Sequence, residues 1–272
     1  MHTRPAHPLR TTAIFVAAAT LLCFGIASPV VFGALPEEFA GLIVPVAQLT
    51  PLLTALVLFF VLRPGRLSDV FALRWGRSWS GVGVSLAAVV AIGLLQLGAG
   101  LATGHTLSSP DAVLIAAAAV PVLLVMQSVF AVGEELGWRG WLVTQLREKP
   151  FWLIAGVSAA AWVIWHLPGL PLIVGDGGWE PGAAYLLAIA SWAPFMVALR
   201  LWSGSVWPAV IVHGALNSVR VFLTQSIASG EGVNWLVELA GCVLWLAAAA
   251  VLHSRIRSRD ARRSEHAPVS AL

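Results

Sequence analysis

Apolar residues run along this chain in eight long blocks separated by short polar segments, and that pattern predicts the architecture. The blocks are Thr11–Phe32, Gly41–Leu62, Gly81–Leu101, Ala112–Val132, Phe151–His166, Tyr185–Leu201, Val206–Leu223 and Trp235–Leu252. About 20 apolar residues make a helix of about 30 Å, enough to cross the hydrocarbon of a bilayer. The fifth block is short, and Gly and Pro recur within several, as membrane helices tolerate. The expected fold is an all-α bundle of about eight transmembrane helices. No tandem repeat or low-complexity linker divides the chain, so residues 1–272 read as one domain, with a basic tail at 253–272. The first block follows Arg4 and Arg10, as a cleavable signal peptide would. Its length and the seven blocks after it fit an uncleaved first helix better.

Composition narrows the class. Of the 272 residues 58% are hydrophobic and 11% charged, against about a quarter charged in a soluble domain. Mean hydropathy is +0.86. A soluble, disordered, collagenous or disulfide-stapled chain is excluded. The two cysteines, Cys23 and Cys242, lie in apolar blocks with no CxxC spacing. An isoelectric point near 9.5 would suit nucleic acid, but the basic residues sit in short clusters between blocks, so the expected partner is the lipid bilayer.

Those clusters also set an orientation. With the N-terminus inside, the inner segments hold Arg4 and Arg10; Arg63, Arg66, Arg74 and Arg77; Arg139, Arg147 and Lys149; Arg200; and Arg255, Arg257, Arg259, Arg262 and Arg263. Only Arg220 is left over, while Glu37, Glu38, Asp176, Glu180 and Glu231 fall on the other side. Both termini are therefore expected to be cytoplasmic. One lysine against fifteen arginines is the usage of a GC-rich bacterium, so a bacterial plasma membrane is the expected location.

Polar residues inside the blocks need a partner or a task. They concentrate in three places: Glu134-Glu135-Leu136-Gly137-Trp138-Arg139-Gly140, Trp162-Val163-Ile164-Trp165-His166, and His213-Gly214-Ala215-Leu216-Asn217. Glu135 and Arg139 are four apart, acid first, and share a helical face. Glu134 points roughly 100° away. One carboxylate is thus expected to be held by a guanidinium and the other left available. His213 and Asn217 also share a face, so three helices, the fourth, fifth and seventh, are expected to line one polar cavity. Such a set suits hydrolysis: a glutamate and a histidine to activate water, an imidazole and an amide to donate to an oxyanion. The same Glu134, His166 and His213 match a catalytic zinc set by residue type, although no HExxH element is present. No cofactor is certain, and zinc stays open.

These motifs, in this order, resemble the CPBP intramembrane proteases, the family that groups type II CAAX prenyl proteases with Abi and bacteriocin-processing proteins. The resemblance runs from about Ala112 to Leu223. It implies an intramembrane endopeptidase acting on membrane-associated peptide or protein substrates. It also implies that Glu134 and His166 activate water, that His213 and Asn217 form the oxyanion hole, and that Glu135 and Arg139 are a supporting pair, with either glutamate open as the base. The family's second motif is FxxxH; here Trp162 stands in the aromatic place, as an expected wall of the substrate pocket. Prenylated substrates are not expected in a bacterium; bacteriocin leaders, signal fragments or a membrane regulator fit.

Simpler readings exist for each motif alone. Glu135–Arg139 reads as a neutralised structural pair, His166 before Leu167-Pro168-Gly169 as an interfacial cap where the helix stops, and His213/Asn217 as interhelical glue. Arg200, Arg220 and Glu238 lie near block ends, where snorkelling accounts for them. For the whole chain the alternatives are a small-solute or proton-coupled transporter, and a catalytically silent immunity or scaffold protein. Depth poses a further test. His166 is about 22 Å along its helix from Phe151, whereas Glu134 closes the fourth block. The apolar Leu136–Leu146 stretch suggests one long fourth helix, kinked at Pro121, that carries the glutamates inside the bundle.

Overall fold

All eight blocks are helices in the computed structural model of the chain, which describes residues 7–175, 178–228 and 232–265. They are α1 (Pro8–Val31), α2 (Glu37–Leu62), α3 (Ser78–Ala102), α4 (Pro110–Leu146), α5 (Phe151–Val174), α6 (Trp179–Ser203), α7 (Trp207–Ser226) and α8 (Trp235–Glu265). Arg4, Asp176, Glu231 and residues 266–272 of the basic tail lie outside the described residues. Several helices run beyond the apolar blocks. Ser109 caps α4 by accepting from the Ala112 N–H, with Pro110 in the first helical position. The tail from His253 continues α8 instead of leaving the bundle.

Among the described residues seven helices are long and apolar enough to cross a membrane; α7, at 20 residues, is long enough but more polar. Its surroundings account for this. Ten of its residues, from Pro208 to Ser226, are buried against other helices, so it needs no lipid-compatible face. The outer helices present theirs: Leu114, Ile115, Val122, Val125 and Val129 of α4 are all exposed, as a bilayer-facing surface requires.

Successive helices alternate in direction, so the loops collect at two ends. At one, the Val206 N–H donates to Ala72 O at 3.0 Å, Trp207 Nε1 donates to Leu73 O at 2.8 Å, and Phe151 stacks on His253. This end carries the Arg63–Arg77, Arg147–Lys149 and Arg255–Arg259 clusters. At the other, β1 (Thr106–Leu107) pairs antiparallel with β2 (Ile227–Ala228), and Trp235 Nε1 donates to Glu180 Oε1 at 3.2 Å. Glu37, Glu38, Asp111 and Glu180 belong to this acidic end.

Three irregularities shape the interior. Between Ala47 and Thr50, α2 is interrupted, because Pro51 has no N–H to give Ala47 and its ring would press on that carbonyl. Thr50 Oγ1 takes up the carbonyl at 2.8 Å. In α4 the helix widens into a π segment over Leu136–Leu142, directly after Glu135. Pro121 lies within the uninterrupted α-helical stretch Pro110–Glu135, and the departure from α geometry comes at the motif itself. Finally, α5 does not stop after His166. It passes through a 3₁₀ turn, Leu167–Gly169, into a last helical turn, Leu170–Val174.

Candidate active site

The glutamates sit inside the bundle because α4 continues to Leu146. Glu134 is 12 residues from that end, about 18 Å, which removes most of its offset from His166. Close packing of α4 on the α2 break fixes its position. A Cβ on Gly133 would lie 2.5 Å from Gln48 O, and one on Gly137 would lie 2.5 Å from Pro51 Cβ. Only glycine permits that approach, and the approach brings Gln48 to Glu134.

Glu135 and Arg139 form the expected pair. Arg139 Nη1 donates to Glu135 Oε1 at 2.8 Å, and both side chains are 0% exposed. The same oxygen lies 2.9 Å from His213 Nδ1. An ionised carboxylate only accepts, so Nδ1 carries the proton and the ring of His213 is fixed by Glu135. The Arg139 guanidinium lies 4.2 Å over the Trp162 ring. Glu135 Oε2 and Arg139 Nε and Nη2 are buried without hydrogen bonds among the described residues.

Glu134 differs from the expected free carboxylate. It is 1% exposed, and both oxygens are engaged: Oε1 accepts from Gln48 Nε2 at 2.9 Å and Oε2 from Trp162 Nε1 at 2.6 Å. The cause is energetic, since a buried carboxylate without donors costs several kcal/mol. Each oxygen keeps a further lone pair for water. Trp162 accordingly acts as a donor behind the glutamate. It is buried and does not line the cavity, as a substrate-pocket wall would.

His166 is buried too, and is not an exposed cap. Its Nδ1 lies 2.8 Å from Trp162 O. A carbonyl can only accept, so Nδ1 is the donor and Nε2 is left with its lone pair. Asn217 Nδ2 donates to Gln127 Oε1 at 3.3 Å, leaving its second N–H without a partner among the described residues.

Glu134, His166, His213 and Asn217 line one cavity of about 60 Å³, room for a few waters. Helices four, five and seven contribute as expected, and α1, α2 and α6 complete the wall through Cys23, Gln48 and Tyr185. Glu135 and Arg139 lie behind it. No group of three or more His, Cys, Asp or Glu side chains among the described residues could hold a metal ion. Glu134, His166 and His213 share the cavity without converging as a ligand set, because Glu134 and His213 are turned onto protein partners.

Several participants were not singled out from sequence. Gln48 had a signal, an amide between Pro45 and Pro51 inside an apolar block. Gln127 had a similar one within the fourth block. Tyr185, the single tyrosine of the chain, packs 5.5 Å from the His166 ring, and Arg220 lies 4.4 Å over its face. Arg220 thus has an interior aromatic partner in addition to any snorkelling.

No curated protein matches the chain. Residues 115–219 match the family model described as type II CAAX prenyl endopeptidase Rce1-like. That stretch, less than half of the chain, contains Glu134, Glu135, Arg139, Trp162, His166, His213 and Asn217, and over it the chain is similar to the type II CAAX prenyl endopeptidases.

Proposed function

We propose that the chain is an intramembrane endopeptidase that hydrolyses peptide bonds of membrane-associated polypeptides with water activated by Glu134 and His166. The observation that carries this reading is the shared cavity of Glu134, His166, His213 and Asn217. Glu134 is the base of choice between the two glutamates because it faces the cavity, whereas Glu135 is occupied by Arg139 and His213.

Water donates to Glu134 and to the bare Nε2 of His166, and its oxygen adds to the carbonyl carbon as a proton passes to this pair. The carbonyl oxygen, now negative, accepts from the free N–H of Asn217 and from Nε2–H of His213. His213 Nδ1–H already points to Glu135, so Nε2 donates only when the ring is an imidazolium. Collapse of the intermediate breaks the C–N bond, and the held proton goes to the leaving amine. Products are a carboxylic acid, which ionises by releasing its proton to water, and an amine. In the low-dielectric interior each oriented donor counts for more than in water.

The test is membrane proteomics with the parent chain and Glu134→Gln, an isosteric change that removes the base. Peptides or precursors that persist only with the variant support hydrolysis. Identical membrane peptide profiles, with the variant folded and inserted, would sink the protease reading in favour of a silent scaffold.

A further inference from the structure

We infer that the chain carries a second ligand site, between α3, α6, α7 and α8 near the acidic end of the bundle, that holds the headgroup of an amine-bearing zwitterionic phospholipid between Arg220 and Glu238. The site shares no lining residue with the cavity of Glu134 and stands independently of the endopeptidase reading.

A cavity of about 150 Å³ lies there, against about 60 Å³ at Glu134. Much of its wall is apolar, with Trp192, Leu216 and Leu223 in it, but three strongly polar side chains reach in: Gln96 of α3, Arg220 of α7 and Glu238 of α8. Glycines make the room. A Cβ on Gly241 would overlap Gln96 Nε2, and one on Gly93 would lie 3.1 Å from Val219 Cγ1. None of the three polar side chains makes a hydrogen bond to another described residue. Nor do Arg220 and Glu238 close into a salt bridge, because the guanidinium is held 4.4 Å over the Tyr185 ring instead. Charged groups in such surroundings are costly until a partner meets them.

Charge selects the partner. An anion alone would satisfy Arg220 and be repelled by Glu238, and a cation alone would do the reverse. A group carrying both signs pairs with each. Its phosphate oxygens accept from the Arg220 N–H groups, and its ammonium donates to the Glu238 carboxylate. The Gln96 amide can donate to the same phosphate. Depth selects a lipid. Gln96, Arg220 and Glu238 lie within about 9 Å of the acidic ends of their helices, where headgroups meet acyl chains in a bilayer. Leu95, Leu239 and Val243, next to the lining residues of α3 and α8, are each more than half exposed and offer an apolar track for the chains.

Thermal melting of the purified chain in detergent tests the inference without any substrate. Phosphatidylethanolamine should raise Tm saturably. Phosphatidylglycerol with the same acyl chains, an anion without the amine, should need at least about tenfold more lipid for the same shift, the worth of a charge-assisted hydrogen bond. Arg220→Gln and Glu238→Gln should each weaken the phosphatidylethanolamine response by a similar factor. O-phosphoethanolamine, the same headgroup without chains, separates the sources. No shift from it at matched concentration is expected; a shift equal to that of the lipid would assign the site to a soluble zwitterion and overturn the lipid. Equal responses to the two lipids, no response to phosphatidylethanolamine, or a response that both variants retain would each overturn the site. The comparison of lipids in the parent chain decides alone if neither variant accumulates.

Discussion

Replacing Arg139 by Met removes a buried charge while keeping much of the side-chain volume, and should destabilise the bundle strongly. Arg139 and Glu135 are both 0% exposed, with 2.8 Å between Nη1 and Oε1. For charge centres about 4 Å apart and an effective dielectric of about 20, the attraction is about 4 kcal/mol. Breaking a buried pair by deleting one partner typically costs about 3–5 kcal/mol. The contact over Trp162, at 4.2 Å, adds up to about 2 kcal/mol. Against this, Arg139 Nε and Nη2 have no hydrogen-bond partner among the described residues, and their burial offsets part of the gain. The expected loss is therefore about 3–5 kcal/mol for Arg139→Met, and similar for Glu135→Gln, which strands the cation. The double variant holds no stranded charge, so it should fall well short of the sum of the two. Reversible unfolding of the four proteins in detergent gives the coupling. Additivity within about 0.5 kcal/mol would refute the reasoning, because pairs that touch do not behave so. Turnover supplies an independent readout. Recovered stability in the double variant should not restore it, since the neutral amide that replaces Glu135 does not hold the His213 ring as the carboxylate does.

Four further outcomes are expected. Asn217→Ala should lower kcat by about 10²–10³ with KM near its original value; if the residue is only glue to Gln127, stability should fall by about 0.6 kcal/mol with kcat unchanged. Gln48→Leu deprives Glu134 Oε1 of its donor, so a stability loss of about 1.5–3 kcal/mol and slower turnover should appear together, and a variant that melts and turns over like the parent would count against Gln48 as a support. Gly137→Ala puts a Cβ 2.5 Å from Pro51 and should cost about 1–3 kcal/mol in detergent melts, whereas the same change at Gly98, with open space around it, should cost far less. Exhaustive chelation should leave cleavage by purified protein intact; full loss that stoichiometric zinc restores would establish a metal-dependent reaction instead.

The helices were legible in the sequence because lipid imposes a strict rule: every spanning backbone group must be satisfied within its own helix, and every outward side chain must be apolar. Even the unusual length of α4 could be anticipated, since Leu136–Leu146 is too apolar for a loop. What the pattern hid was local backbone. Pro45 and Pro51 lie inside one continuous apolar block, which reads as one helix, and only the pairing of Gln48 with Glu134 gives the break a purpose. The π segment had no signal in hydropathy at all. Helical spacing placed Glu135 with Arg139 and His213 with Asn217, because residues four apart share a face on any helix. It could not place α1, α2 and α6 around the cavity, since which helices meet is a tertiary matter. The same limit explains why Glu134 was expected to be unpartnered: its donors, Gln48 and Trp162, are 86 and 28 residues away.

Two adjacent glutamates in one span would be a liability if both faced the same surroundings, and the geometry divides them. A step of about 100° turns Glu135 toward Arg139 and α7, and Glu134 toward α2 and the cavity. The single guanidinium goes to Glu135, where a fixed charge orients His213. Glu134 is held by an amide and an indole, neutral donors that aim the carboxylate without setting a cation against it. A salt bridge there would tie up the oxygens. Dipolar donors restrain its position and leave each oxygen a further lone pair for water, which the proposed base requires. On the proposed reading the pair separates a structural carboxylate, Glu135, from the proposed base, Glu134, on a single helical turn, and the closeness of Gly133 and Gly137 to the α2 break is what makes the second of these environments possible.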